Sequence, residues 1–274
     1  MPTLSVIMAT YNDRPAFLQT CIQSVLNQTF KDFEFIIVAE PDEANVEILK
    51  SAADMDNRIK LLINGSRLGL AGSRNKAIEE GSGKYIAIID GDDYCDLTRF
   101  EQQVNFLNKY SDVSVLGSNM YLINEQDKIV GERDYPEMHK KIKGFFLITM
   151  GIANPTVMVK RKDIDEVGLF NEKFTKAEDF ELWMRFLGNK KRMHNIQQKL
   201  VYYRLPPKGV SKRNRIHLRN IYAARLKYSK SIWKFYLRFP SLFFWFLASR
   251  IPEGVLDSLL HFRIVNHIKK IKSA

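Results

Sequence analysis

Ile86-Ala87-Ile88-Ile89-Asp90-Gly91-Asp92-Asp93 sets a run of four apolar residues directly ahead of three carboxylates. With Tyr85, the apolar run has the length and composition of a buried strand, Tyr85–Ile89. The acids then stand at its carboxyl end. Three carboxylates so close repel one another unless a cation lies among them. Mg2+ and Mn2+ take oxygen ligands and bridge carboxylates to a diphosphate. Gly91 lets the backbone come close to a ligand. The same residues also suit a solvated turn that caps the next helix. Their place at the end of an apolar strand favours the metal.

Upstream, apolar runs alternate with amphipathic stretches. Leu4–Ala9, Phe33–Val38 and Ile59–Ile63 read as strands. Arg14–Asn27, Glu43–Asp54 and Leu70–Glu80 read as helices, the last stopped by Gly81-Ser82-Gly83. This rhythm predicts an α/β fold with a mostly parallel sheet flanked by helices. Such sheets bind ligands at the carboxyl ends of their strands. Thr10–Asp13, Ala39–Asp42, Asn64–Gly69 and Asp90–Asp93 are therefore the segments of interest. Downstream, Arg99–Lys109 and Ala177–Leu187 read as helices. Val113–Asn119, Tyr121–Asn124, Ile129–Arg133, Ala153–Val159, Ile164–Val167 and Leu200–Arg204 read as strands. Pro206-Pro207-Lys208-Gly209 breaks the pattern and marks a boundary.

Five motifs in order resemble the family 2 glycosyltransferases and their GT-A type nucleotide-sugar-binding fold. Ser5–Asn12 is similar to that family's opening strand and nucleotide loop. Ser24–Phe30 with Phe33–Val38 is similar to its first helix end and second strand. Asn64-Gly65 with Gly69 and Ser73-Arg74-Asn75 resembles its third loop and helix. Asp90-Gly91-Asp92-Asp93 resembles its metal-binding motif, and Ala177–Arg185 its catalytic helix. The resemblance spans roughly residues 3–205. It implies a catalytic domain over 1–205, with a nucleotide-sugar half to about residue 98 and an acceptor half over 99–205.

The resemblance also implies roles. Asp179 matches the general base, at a helix start where the dipole favours an ionised carboxylate. Glu178 stands beside it to orient the acceptor. Asp92 and Asp90 would hold Mn2+ or Mg2+, and Asp90 with Gly91 would also meet the nucleotide-sugar. Thr10, Tyr11, Asn12, Gly69 and Arg74 would line the donor site. The family's acidic pair after the second strand is altered here to Ala39-Glu40-Pro41-Asp42, so Glu40 or Asp42 would contact base or ribose. A histidine near the diphosphate is replaced by Tyr202-Tyr203-Arg204, so Arg204, Lys208, Ser211 or Lys212 would grip it. The implied reaction is inverting transfer from a UDP- or TDP-sugar to the hydroxyl of a sugar or lipid-linked saccharide. The implied setting is assembly of a bacterial surface polysaccharide such as O-antigen, capsule or exopolysaccharide.

The charge is unevenly placed. The 274 residues carry +11, yet from Arg204 onward 16 Lys and Arg face 2 acidic residues. The body before Arg204 is close to neutral. The basic tail, residues 206–274, is rich in aromatics such as Trp233, Phe239, Phe243 and Trp245, and reads as helical. Two explanations suit it: a cap packed on the catalytic domain, or an interfacial helix on an anionic membrane. Nucleic acid is not expected as a partner. Two cysteines make no disulfide framework, and no apolar run of spanning length or secretory leader is evident, so the expected place is the cytoplasm, peripheral at the inner membrane face. A sugar nucleotidyltransferase would want a glycine-rich basic loop after the first strand, which Thr10–Pro15 lacks. A dinucleotide-dependent oxidoreductase would want Gly-x-Gly-x-x-Gly there, also missing. A non-catalytic scaffold on the same fold is the third alternative.

Overall fold

The computed structural model describes residues 1–41, 43–206 and 215–250. Its first half is β1 (Leu4–Thr10), α1 (Pro15–Leu26), β2 (Phe33–Ala39), α2 (Val46–Met55), β3 (Ile59–Ile63), α3 (Gly69–Glu80) and β4 (Tyr85–Ile88). Pro15 opens α1, where a missing N–H costs no helical bond. The second half is β5 (Tyr94–Cys95), α4 (Arg99–Lys109), β6 (Val113–Ile123), β7 (Ile129–Arg133), α5 (His139–Phe145), β8 (Met158–Lys160), α6 (Arg161–Val167), α7 (Glu178–Gly188), β9 (Arg192–Arg204), α8 (Arg215–Ile232) and α9 (Phe235–Ala248).

One sheet runs β3-β2-β1-β4-β8-β6-β9-β5, with β7 added beside β6. β1 lies parallel between β2 and β4, so Ile7 stands opposite both Ile36 and Ile88. The chain steps outward from β1 to β3, then returns to the other side of β1. That reversal opens a crevice at the carboxyl ends of β1 and β4. Beyond β4 the sheet is mixed: β8 is antiparallel to both β4 and β6, while β6 and β9 run parallel. The strands bury both faces with a period of two. Ile7, Ile36, Ile86 and Ile88 face one core layer; Val6, Met8, Phe35, Ala87 and Ile89 face the other.

The second half departs locally from the sequence reading. Val113–Asn119 and Tyr121–Asn124 are one strand, β6. It shifts register against β9 around Asn119, whose amide is satisfied by Gln197 O and the Tyr135 N–H. Ala153–Val159 divides into a 3-10 turn, Asn154–Thr156, and the start of β8, because Pro155 cannot donate to a ladder. Ile164–Val167 is helical within α6, a run too short for periodicity to settle. β9 starts at Arg192, well before Leu200, through polar residues that pair with β6.

The tail begins as a cap. Ile221, Ala224 and Ile232 of α8 enter the core layer that holds α7, and the Tyr228 hydroxyl donates to Glu181 at 2.5 Å. Among the described residues no helix is long and apolar enough to cross a membrane.

Candidate active site

The crevice is organised around Arg74, buried on α3. Its Nη2 donates to Asp90 Oδ1 at 2.7 Å and its Nη1 to Glu178 Oε1 at 2.9 Å. One guanidinium thus ties the acidic motif after β4 to the first turn of α7, reaching a glutamate 104 residues further along the chain than Arg74 itself. Burial works against the charged guanidinium, but Asp90 and Glu178 outweigh it and hold its pKa above the ordinary value. A rigid fork of donors suits two carboxylates held at a fixed separation.

Asp179 is next to Glu178 and half-buried. Desolvation and the Glu178 charge push its pKa from 3.8 to about 7, against the opposing pull of Arg74 and of the Phe180 N–H, which donates to Oδ1 at 2.7 Å. Ala177 immediately before α7 has φ 61°. A left-handed non-glycine residue costs about 1–3 kcal/mol, a strain that clusters where geometry matters. Here it turns the chain so that Glu178 and Asp179 open the helix together.

Asp13, which sequence reasoning did not single out, belongs to the same cluster. It lies three residues after the end of β1 and accepts a 3.0 Å hydrogen bond from the Thr10 hydroxyl. Burial and then the Asp92 charge raise its pKa to about 7, with smaller contributions from Asp90 and Glu43. A Cβ at Gly91 would fall 2.5 Å from Asp13 Oδ2, so glycine is what lets these two loops touch. The available signal was its position, directly after Thr10-Tyr11-Asn12 at a strand end.

This donor chemistry fits a hard cation: burial and the charges of Asp92 and Asp90 raise the cost of ionising Asp13, which a divalent ion would relieve. Among the described residues no three metal-ligating side chains converge closely enough to hold an ion unaided. Mg2+ is commonly held by one or two carboxylates plus substrate phosphates, so a pair of aspartates meets that requirement.

The remaining predicted residues surround this cluster. Asn12, at φ 54°, accepts the Ala44 N–H at 2.9 Å, and its own N–H goes to Glu43 Oε2 at 2.9 Å. The buried Glu43 therefore fastens the loop after β1 to the loop after β2. Tyr11 is exposed, with the Arg67 guanidinium 4.4 Å over its ring and donating to its hydroxyl. Glu40 is buried. Its Oε1 accepts from the Ser73 hydroxyl at 2.8 Å and its Oε2 from the Leu68 N–H at 3.1 Å, pinning the third loop. Gly69 opens α3 at φ 71°. Asp42, Lys208, Ser211 and Lys212 lie outside the described residues.

Arg204, at the end of β9, is committed to the scaffold. Its Nε donates to the Asp92 carbonyl at 2.9 Å, Nη1 to the Asn124 carbonyl at 2.8 Å and Nη2 to Asp127 at 2.5 Å, with Phe17 3.7 Å below. Its backbone N–H donates to Asp93 at 2.8 Å. Asp93 and Arg204 together fix the backbone on which Asp92 stands.

The model of the family described as Glycosyl transferase family 2 matches residues 5–168. An uncharacterized glycosyltransferase of Methanocaldococcus jannaschii, MJ1057, is 37% identical over 209 residues, covering 75% of this chain and 71% of that protein. Escherichia coli WfgD, a UDP-Glc:alpha-D-GlcNAc-diphosphoundecaprenol beta-1,3-glucosyltransferase, is 33% identical over 184 residues, covering 67% of this chain and 69% of its own. The crystal structure of S. aureus TarS 1-349 in complex with UDP-GlcNAc superposes with a TM-score of 0.67 at 19% identity, covering 88% of this chain and 70% of that one. In a longer crystallised TarS chain the match spans 40% of the length.

Proposed function

Since the chain belongs to glycosyl transferase family 2 and is a glycosyltransferase, we propose that it inverts the anomeric centre of a UDP- or TDP-sugar in passing the sugar to a lipid-linked saccharide. The acceptor class is supported by the diphosphoundecaprenol named for WfgD, and the setting is assembly of a bacterial surface polysaccharide at the inner membrane face. Residues 1–205 form the catalytic body, donor half first, and the tail from 206 serves the acceptor side.

Asp179 accepts the proton of the acceptor hydroxyl. The hydroxyl oxygen attacks the anomeric carbon, the bond from that carbon to the diphosphate oxygen breaks, and the nucleoside diphosphate leaves. One base with no enzymic nucleophile means a single displacement, hence inversion. Glu178 orients the acceptor while Arg74 fixes its distance from Asp90. Mn2+ or Mg2+ at Asp92 and Asp90, with Asp13 beside them, would neutralise the leaving diphosphate. Thr10, Tyr11 and Asn12 line the nucleotide side with Gly69, and Arg204 holds the Asp92 loop rather than the diphosphate.

The observation that carries this reading is the Arg74 bridge, which sets the base helix against the acidic motif. The test is the melting temperature of purified protein with UDP, TDP and other nucleoside diphosphates, with and without Mn2+. A ligand that binds only the folded state raises it by mass action. The expected result is a rise with one nucleotide that is lost on chelation and in Asp92→Ala. A folded protein that responds to no nucleotide sinks the proposal.

A further inference from the structure

The helix α9 is built inside out. Tyr236, Phe239, Phe243, Phe244, Phe246 and Leu247 are exposed, while Ser241 and Trp245 turn toward the body. The exposed residues recur at helical spacing and make one broad apolar face. A helix that merely capped a water-soluble domain would bury that face. The inward side is fastened by Trp245, packed against the core, and by polar contacts. The Ser241 hydroxyl donates to the Leu147 carbonyl at 2.5 Å. The buried Arg225 of α8 lies between the rings of Phe180 and Trp245, 4.8 and 4.7 Å away, and donates to the Phe146 carbonyl. The apolar face is therefore held outward by a built contact. Phe145 and Ile148, neighbours of that anchor, are exposed too.

We propose that the outward face of α9, extended by Phe145 and Ile148, seats in the interfacial layer of an anionic lipid membrane. This rests on the lipid-linked acceptor proposed above and names the surface that meets it. Charge selects the occupant. Residues 215–250 contain eight Lys and Arg and no Asp or Glu, so a second copy would be repelled and an anionic bilayer attracted. Length sets the pose. The 14 residues of α9 span about 21 Å, short of the roughly 30 Å hydrocarbon core, so the helix lies in the plane. The same contact chain runs from α9 through Arg225 to Phe180, the residue after Asp179, so the membrane plane is fixed relative to the base.

The experiment is co-sedimentation of the full chain, without donor or acceptor, with vesicles of phosphatidylcholine alone or mixed with phosphatidylglycerol. Wild type is expected to pellet with the mixed vesicles and to be released by salt. Phe239→Glu/Phe243→Glu should weaken partition at least about tenfold, the cost of about 1.4 kcal/mol. Lys230→Glu/Lys234→Glu should remove the preference for phosphatidylglycerol. An unchanged melting temperature and nucleotide response certify that each variant is folded. Wild type left in the supernatant, or a double phenylalanine variant that pellets like wild type, overturns the docking surface. So does a wild-type dimer that this variant makes monomeric. Those outcomes leave the sugar-transfer reading standing, whereas vesicle binding without any nucleotide response does the reverse.

Discussion

Replacing Arg74 with methionine tests whether the crevice is held together as the geometry indicates. Methionine keeps most of the volume and removes the charge. Two carboxylates then lose their counter-ion, and they lose it unequally. The Glu178 side chain is 10% exposed and cannot recover much water, while Asp90 is 29% exposed and can. Breaking a buried ion pair from one side costs about 3–5 kcal/mol, and partial rehydration of Asp90 places the loss near the lower end. At the sensitivity of a chain this large, about 3 kcal/mol lowers the melting temperature by about 6–12 °C. Adding Glu178→Gln removes the stranded charge and should restore about half of that loss, a coupling read directly from the double-mutant cycle. The assay is thermal unfolding by circular dichroism of wild type, both single variants and the double variant. Arg74→Met melting with wild type, or losses that simply add, would refute the bridge.

Asp179→Asn should cut turnover by about 10²–10⁴-fold while the nucleotide-induced rise in melting temperature persists. The wild-type rate should climb with pH through about 7 as Asp179 ionises. The stability effect has the opposite sign. A carboxyl whose folded pKa is raised contributes stability below 3.8 that is lost as pH rises through about 7. Asp179→Asn should therefore melt higher than wild type at pH 8 and lose that advantage at pH 4, checked by calorimetry at both. Gly91→Ala would place a Cβ 2.5 Å from Asp13 Oδ2. It should cost about 1–3 kcal/mol in unfolding by urea and shrink the Mn2+-dependent nucleotide response. An alanine variant that binds nucleotide like wild type would separate Asp13 from the site.

Much of the first half was legible because each strand there is a short apolar run closed by turn residues, and α1 and α2 each bury one stripe. Parallel order followed from that alternation. The second half resisted because its signals conflict locally. Asn119 sits mid-strand in β6 with its amide satisfied by partners distant in sequence, and β9 starts with charged and polar residues that only the pairing with β6 explains. Long-range pairing of polar strands leaves little periodic trace. In the site, Arg74, Asp90, Glu178 and Asp179 stand together as their motifs imply. Glu40 and Arg204 also hold scaffold partners, the Leu68 N–H and Ser73 hydroxyl for one and the Asp92 and Asn124 carbonyls for the other, that no sequence interval reveals.

The four-residue acidic motif divides its labour by what each carboxylate touches. Asp90 is neutralised by Arg74, Asp93 accepts the Arg204 backbone N–H, and Asp92 stands between them with its carbonyl clamped by the Arg204 side chain. The Arg74 guanidinium and the Arg204 backbone N–H thus offset part of the repulsion among three adjacent acids. What they do not absorb is the repulsion between Asp92 and Asp13, which adds to the larger effect of burial in raising the Asp13 pKa to about 7. That residual charge conflict, at the carboxyl ends of the paired strands β1 and β4, is what a divalent ion and a diphosphate together would resolve. Donor binding and metal binding should therefore be mutually dependent. Titrating the chain with Mn2+ at saturating nucleotide should give a tighter apparent constant than Mn2+ alone, and nucleotide should gain by the same factor when Mn2+ is present, because linkage is reciprocal. Equal Mn2+ affinity with and without nucleotide would mean that the aspartates alone suffice and that Asp13 leaves no charge conflict for the diphosphate to resolve.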